Sequence, residues 1–175
     1  MHVGVPSQLA WFYAAPVAGI LSAVDSLAAR GQTVVLQMDQ SHINDANEVL
    51  MLSARLRKRA VPVAWRVRST QGNIGFSIQK ELLDSVRTWL PKDVSIMLAA
   101  DRFYGTAQLI GWCQKAGWSY RIRLKGNLTL AHEGGELTTG EVAQRLPQGV
   151  MGAELYGSGV STNIGVLHEK GHKEP

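Results

Sequence analysis

The sequence predicts an α/β fold, a mixed sheet with flanking helices followed by a glycine-rich β region. Three observations predict it. Two short apolar runs, residues 33–38 (TVVLQM) and 95–100 (SIMLAA), each end in an aspartate, Asp39 and Asp101. Continuous runs rich in Val, Ile and Leu read as strands buried on both faces of a sheet. Segments with helical spacing separate and follow these runs, and ten of the eighteen glycines fall in residues 126–175. Three segments are therefore expected: a helical one over 1–31, a sheet-and-helix core over 32–125, and a β-rich one over 126–175.

The first segment is largely apolar over residues 9–24. No basic stretch precedes it, Pro16 and Gly19 interrupt it, and Asp25 follows. A spanning helix needs about 20 apolar residues. The stretch reads as a packed helix broken at Pro16, in a soluble cytoplasmic protein with no membrane partner.

After the strand ending at Asp39, residues 40–47 read as a polar loop. Residues 49–54 (VLMLSA) read as a second strand, 57–59 (RKR) as a turn, and 60–67 (AVPVAWRV) as a third strand pairing back antiparallel. Pro62 cannot donate to a ladder, so this third strand belongs at an edge. Residues 71–73 form a loop. A helix is expected over 76–89, where Leu82, Leu83, Val86 and Leu90 recur at helical spacing and Pro91 stops it. The strand ending at Asp101 follows, and then a helix over 106–116 closed by Gly117. Residues 118–125 (WSYRIRLK) alternate, with Ser119, Arg121, Arg123 and Lys125 on one face and Trp118, Tyr120, Ile122 and Leu124 on the other. Beyond them only 141–145 reads as helical, and pieces such as 152–156 and 163–167 read as short strands.

A chain of 175 residues with 45% hydrophobic content is one domain's worth and buries a core, which excludes a disordered protein. The net charge is +4, and its distribution carries more than its size. Residues 49–70 contain no acid but hold Arg55, Arg57, Lys58, Arg59, Arg66 and Arg68. Residues 102–132 again lack acids and hold Arg121, Arg123 and Lys125. Blocks of one sign attract a polyanion. Cys113 is the one cysteine, so an internal disulfide is excluded, as suits a reducing cytosol. Its place among Leu109, Ile110 and Ala116 reads as a packed core thiol.

In open α/β sheets, ligands bind outside the carboxyl ends of the strands. A right-handed crossover through the first helix brings the Asp101 strand parallel beside the Asp39 strand. The sheet order is then third, second, first, fourth, fifth, with Pro62 on an edge. Both carboxylates reach one crevice, where they can share divalent metal ions, and basic sequence surrounds them. That combination points to metal-dependent chemistry on a phosphodiester. Plainer readings exist for each part. An aspartate after a strand also caps turns, and Arg121, Arg123 and Lys125 also solvate an edge strand and deter sheet-to-sheet aggregation. Trp65 reads as packing. His168-Glu169-Lys170-Gly171-His172 matches the zinc-protease pattern, which needs both histidines on one helix face. A β-like segment precedes it, Gly171 lies inside it and Pro175 follows, so the zinc reading is set aside.

Several motifs in order carry a resemblance. Met38-Asp39-Gln40-Ser41, Arg59-Ala60-Val61-Pro62-Val63-Ala64-Trp65 and Ala100-Asp101-Arg102-Phe103-Tyr104-Gly105 are similar to bacterial insertion-sequence transposases of the DDE type. So are residues 117–127 (GWSYRIRLKGN) and 168–175 (HEKGHKEP). The resemblance spans residues 33–175 and is to the group whose third acid lies in a Tyr-Arg-Glu-Lys signature. It implies a ribonuclease-H-like catalytic core with three carboxylates and two Mg²⁺ ions. Asp39 and Asp101 would be the first two ligands, and the cationic strand face of Arg121, Arg123 and Lys125 reads, on its own charge pattern, as a DNA contact. A two-metal clamp activates the attacking oxygen and stabilises the leaving one in an in-line displacement, and hard Mg²⁺ suits aspartates and phosphates. Water would first be the nucleophile, and the freed 3′-hydroxyl would then attack target DNA. The implied partners are double-stranded DNA, as element ends and target, and a second copy of the chain on the paired end, at the bacterial nucleoid.

The chain departs from that group in two ways. Phe103 stands where many members carry glycine, and no Tyr-Arg-Glu-Lys segment occurs before Pro175. Glu133, Glu136, Glu141 and Glu154 sit too early, in the glycine-rich stretch. The chain thus reads as a truncated catalytic domain, with residues 126–175 an incomplete β insertion. A non-catalytic remnant that at most binds DNA, and a two-metal nuclease or resolvase on the same fold, remain as alternatives.

Overall fold

The computed structural model describes Ser22, Val24 and residues 29–70, 72–132, 135–146 and 148–167. Apart from Ser22 and Val24, the helix expected over 9–24 lies outside these residues, as does the motif at 168–172. No helix among the described residues is long and apolar enough to cross a membrane.

Three antiparallel strands open the fold: β1 (Val34–Asn44), β2 (Asn47–Leu56) and β3 (Arg59–Ser69). Helix α1 (Phe76–Arg87) leads to β4 (Ile96–Ala100). A 3-10 turn (Arg102–Tyr104), α2 (Ala107–Ala116) and β5 (Ser119–Ile122) follow. The five strands form one mixed sheet in the order β3-β2-β1-β4-β5, with β1, β4 and β5 parallel. This is the order expected from the crossover argument. β3 is the edge, and Pro62 lies at a bulge where the register steps from Leu52↔Ala64 to Ser53↔Pro62. The missing N–H therefore costs no ladder bond in the sheet interior.

One face of the sheet carries the core. Val34, Leu36, Met38, Leu50, Leu52, Ile96 and Leu98 cluster with Leu82, Leu83 and Val86 of α1 and with Leu109, Trp112 and Cys113 of α2. Each helix sits where its sequence dictates. Thr106 caps α2 by accepting from Leu109 N, and Gly117 closes it in the left-handed region (φ 71°) that a β-carbon disfavours. Trp112 and Trp118 meet edge to face at 5.1 Å. The Trp112 indole N–H donates to Asp84 Oδ1 at 3.0 Å, tying α2 to α1. Cys113 is fully buried, and burial pushes its thiol up to about 12. It is a core thiol, as its neighbours suggested.

The second sheet is built from β6 (Thr129–His132), β7 (Gly135–Thr138), β8 (Gly149–Leu155) and β9 (Val160–Val166), in the order β7-β6-β8-β9. A short helix, α3 (Thr139–Arg145), lies between β7 and β8 and opens with a capping box between Thr138 and Glu141. This sheet packs on α2 and β5 through Ile110, Tyr120, Ile122 and Leu124. Tyr120 Oη and Thr162 Oγ1 lie 2.7 Å apart, and Gln114 Nε2 donates to Ser161 O at 2.7 Å.

Three expectations need correction. Residues 40–47 are not a loop: β1 runs on to Asn44 and turns directly into β2, with Ser41↔Val49, His42↔Glu48 and Asn44↔Asn47 paired. This ribbon extends past the core, so its exposed residues have no apolar alternation to betray them. The central strands are not buried on both faces, since Val35, Gln37, Met97 and Ala99 are only half-buried. Finally, β5 ends at Ile122 rather than Lys125, although the exposed and inward alternation continues beyond it.

The Asp84 bond gives a first prediction. Lys80, bonded at 2.6 Å, and the Trp112 N–H hold the Asp84 carboxyl below its usual range. Asp84→Ala strands a buried indole N–H and should cost about 1–2 kcal/mol in urea unfolding at neutral pH. Asp84→Asn keeps an acceptor and should cost less. Because the folded-state pKa is depressed, the contribution is present above the unfolded carboxylate range. It fades as pH falls through the lowered value. Wild-type and Asp84→Ala unfolding curves should therefore converge in acid.

Candidate functional site

β1 and β4 pair in parallel from Val34↔Ile96 to Met38↔Ala100. The next residue on each is an aspartate, so Asp39 and Asp101 emerge side by side from strands about 4.8 Å apart. Both line a cleft of about 220 Å³ together with Gln40, Asn73, Ile74, Gln79, Phe103 and Tyr104. Both are solvent-exposed.

Each carboxylate is held by one oxygen. Gln40 N donates to Asp39 Oδ1 at 2.8 Å, and Phe103 N donates to Asp101 Oδ1 at 2.7 Å, which caps the 3-10 turn. The capping role that the sequence offers for Asp39 is thus taken by Asp101, and it is compatible with a second role because one oxygen suffices. Neither Oδ2 takes a hydrogen bond from the described residues. No third His, Cys, Asp or Glu completes a metal-binding group among the described residues. Glu141 is spent in its capping box, and Glu154 accepts from Gly159 N. The donor set is two hard oxygens, which fits a cation such as Mg²⁺ that takes carboxylates and keeps several waters.

Behind the aspartates the polar groups are tightly ordered. The Gln40 amide donates to Gly72 O at 2.9 Å and to Glu48 Oε2 at 3.1 Å, and accepts from Ile74 N at 2.8 Å. Glu48, only 5% exposed, also bonds His42 Nδ1 through Oε1. Gln79, on the buried side of α1, donates to Ile74 O at 2.8 Å. The segment around residues 72–74 is thereby fastened to β1 and α1, and Asn73 and Ile74 line the cleft. Among the described residues, Tyr104 Oη and Gln79 Oε1 are buried without a hydrogen-bond partner. Burial, reinforced by the charges of Asp39 and Asp101, pushes the Tyr104 hydroxyl well above the usual phenol range. A buried polar atom left unsatisfied costs about 1–3 kcal/mol.

The rim is aromatic and cationic. Phe103 is 51% exposed, with Lys125 Nζ 5.4 Å and Arg102 Cζ 5.9 Å from its ring centroid. Gly105 permits this approach, since a β-carbon there would stand 2.7 Å from Arg123 O and 2.9 Å from a Leu124 methyl. Arg123 N donates to Ala100 O at 3.1 Å, extending the β4–β5 ladder one residue. Arg121, Arg123 and Lys125 are all exposed, while Tyr120, Ile122 and Leu124 pack against the second sheet. Of the three cations, Lys125 meets a cleft residue.

The other basic block does not surround the acids as its sequence suggested. The turn between β2 and β3, with Arg57 and Lys58, lies beyond the Val34 end of β1 and away from Asp39 in mid-strand, because Leu36 pairs with Ala54 and Asp39 with Met51. Arg66 and Arg68 bond Glu81 at 2.7 and 3.4 Å and hold its carboxyl below the usual range. A larger groove of about 800 Å³ between α2, β5 and the second sheet is lined by residues such as His132, Glu154 and Thr162 and holds no paired acids.

Compared with family models and with curated proteins, the chain matches none.

Sequence reasoning named Asp39 and Asp101 but missed Gln40, Glu48, Gln79 and Tyr104 as parts of the site. Two of them left a signal. Gln79 falls on the same helical stripe as Leu82, Leu83 and Val86, and Glu48 is an acid directly before the apolar run 49–52 of β2. Nothing local marks Gln40, whose partners lie 8 and 32–34 residues away. Gln40→Ala should free the segment around residues 72–74. Hydrogen exchange at the Ile74 amide should accelerate by about tenfold or more, with about 1–2 kcal/mol lost in global stability. Unchanged Ile74 exchange would remove Gln40 from this role.

Proposed function

We propose that this chain carries the catalytic core of a bacterial insertion-sequence transposase of the DDE type. Its five-stranded sheet is read as ribonuclease-H-like, and Asp39 and Asp101 as two of the three metal-ligating acids. The observation that carries the reading is the pair of aspartates on adjacent parallel strands, each fixed by one oxygen and open at the other. The strand order, the motif order and the cationic rim at Lys125 and Arg102 support it.

Asp39 and Asp101 would hold Mg²⁺ through their free oxygens, and the bound ions would supply Lewis acidity to the attacked phosphodiester. The protein's own residues supply the rest. The backbone N–H bonds from Gln40 and Phe103 set the orientation of the two carboxylates. Lys125 and Arg102 neutralise DNA phosphates at the rim, with Arg121 and Arg123 extending that contact along the exposed face of β5. Exposed Phe103 offers a flat apolar surface between two cations. The partners are duplex DNA and a second protomer on the paired end, in the bacterial cytoplasm.

A second reading, DNA binding without catalysis, is favoured by one observation: among the described residues no third acid joins the pair. One set of measurements separates the two. Under the first reading the full enzyme, third acid included, nicks or joins duplex DNA with Mg²⁺, and both Asp39→Asn and Asp101→Asn reduce this to background while duplex binding persists. Under the second, wild type binds but does not cut. In both, log affinity falls with log salt at a slope of about −0.9 per phosphate contact. Cleavage retained in either variant would refute the assignment of the acids, and salt-independent binding would refute both readings.

A further inference from the structure

The back of the acid cleft holds two buried polar atoms that nothing in the described protein satisfies, Tyr104 Oη and Gln79 Oε1. Tyr104 is 4% exposed and Gln79 7%, yet both line the same cleft as Asp39 and Asp101. The orientation of the Gln79 amide is fixed, because Ile74 O can only accept and therefore faces Nε2. Gln79 Oε1 is thus an acceptor without a donor. The free oxygens of Asp39 and Asp101 are acceptors as well, and the Tyr104 oxygen accepts through its lone pairs. The residues lining the cleft thus carry four oxygens that take no donor from the described residues, against two side-chain donors, the Tyr104 phenol and the Asn73 amide.

Such a cavity is complementary to an occupant rich in donors and positive charge. At about 220 Å³ it exceeds the volume of a single water, about 30 Å³, several-fold. A divalent cation that keeps part of its hydration shell presents water hydrogens polarised outward, and acceptors outside the inner ligands orient such waters. We propose that Gln79 and Tyr104 are positioning residues that hold the coordinated waters of a divalent cation bound by Asp39 and Asp101. This rests on the reading of the two aspartates as metal ligands. It adds that a glutamine of α1 and a tyrosine of the 3-10 turn complete the site through water. The two residues reach it from different elements, so closing the cleft around the ion also joins α1 to the turn after β4.

The test is Mn²⁺ binding to the intact chain, followed by electron paramagnetic resonance, with Mg²⁺ competition. Tyr104→Phe keeps the ring and removes the hydroxyl; Gln79→Met keeps the length and removes the acceptor. Each should weaken Mn²⁺ affinity about tenfold or more and broaden the spectrum of whatever ion still binds, because the hydration shell loses an anchor. In EDTA the melting temperature of Tyr104→Phe should equal or exceed that of wild type, since an orphaned hydroxyl is gone. Asp39→Asn serves as the reference that abolishes binding. If Asp39→Asn abolishes binding while Tyr104→Phe and Gln79→Met bind as wild type does, with unchanged spectra, the positioning role is wrong and the aspartate reading stands. If wild type binds no Mn²⁺, the aspartate reading fails and this inference with it.

Discussion

The register of β1 against β4 is the constraint on which everything else depends. Parallel pairing from Val34↔Ile96 to Met38↔Ala100 leaves Asp39 and Asp101 at the same level on neighbouring strands. A slip of one residue would turn each buried position of β4 to the other face, taking Ile96 and Leu98 out of the core. Burial therefore locks the register, and the register delivers the two acids. Hydrophobic packing fixes the place of the chemistry although no apolar side chain takes part in it.

The surroundings of the pair divide into a back and a rim with opposite character. At the back, Gln40 and Glu48 form a satisfied network that fastens the segment around residues 72–74, while Gln79 Oε1 and Tyr104 Oη take no donor from the described residues. At the rim, Arg102 and Lys125 flank an exposed phenyl ring. The proposed metal-dependent phosphodiester chemistry would use such an arrangement, with a cation held against the acceptors within and a polyanion against the cationic edge outside. The second sheet contributes indirectly. By packing on Tyr120, Ile122 and Leu124 it leaves Arg121, Arg123 and Lys125 on the exposed face.

Much of this is legible in the sequence, for identifiable reasons. The β1 and β4 segments announce themselves as short runs rich in Val, Ile, Leu and Met, although only one face of each is fully buried, and Pro62 marks the edge because it lacks a donor. Gly117 and Thr106 bracket α2 through backbone chemistry that acts within a single turn. What stays hidden is set by distant partners. The β1–β2 ribbon beyond Asp39 reads as a loop, since its stability comes from cross-strand pairing and not from an apolar face. Charge patterning misleads in the same way. Arg66 and Arg68 look free for a polyanion until Glu81, 13 to 15 residues on, is seen to occupy them. Likewise, no spacing rule joins Gln79 and Tyr104 to two aspartates on different strands.

The central claim is that Asp39 and Asp101 together bind a divalent metal. Iron-directed cleavage of the protein backbone tests it most directly. Fe²⁺ replacing Mg²⁺ in the intact chain, with ascorbate and peroxide, generates hydroxyl radicals that cut the polypeptide next to the bound ion. Fragments ending near residues 39 and 101, both suppressed by excess Mg²⁺, are the expected result. Cleavage confined to other positions, such as His42 and Glu48, or cleavage that Mg²⁺ does not suppress, would contradict the claim.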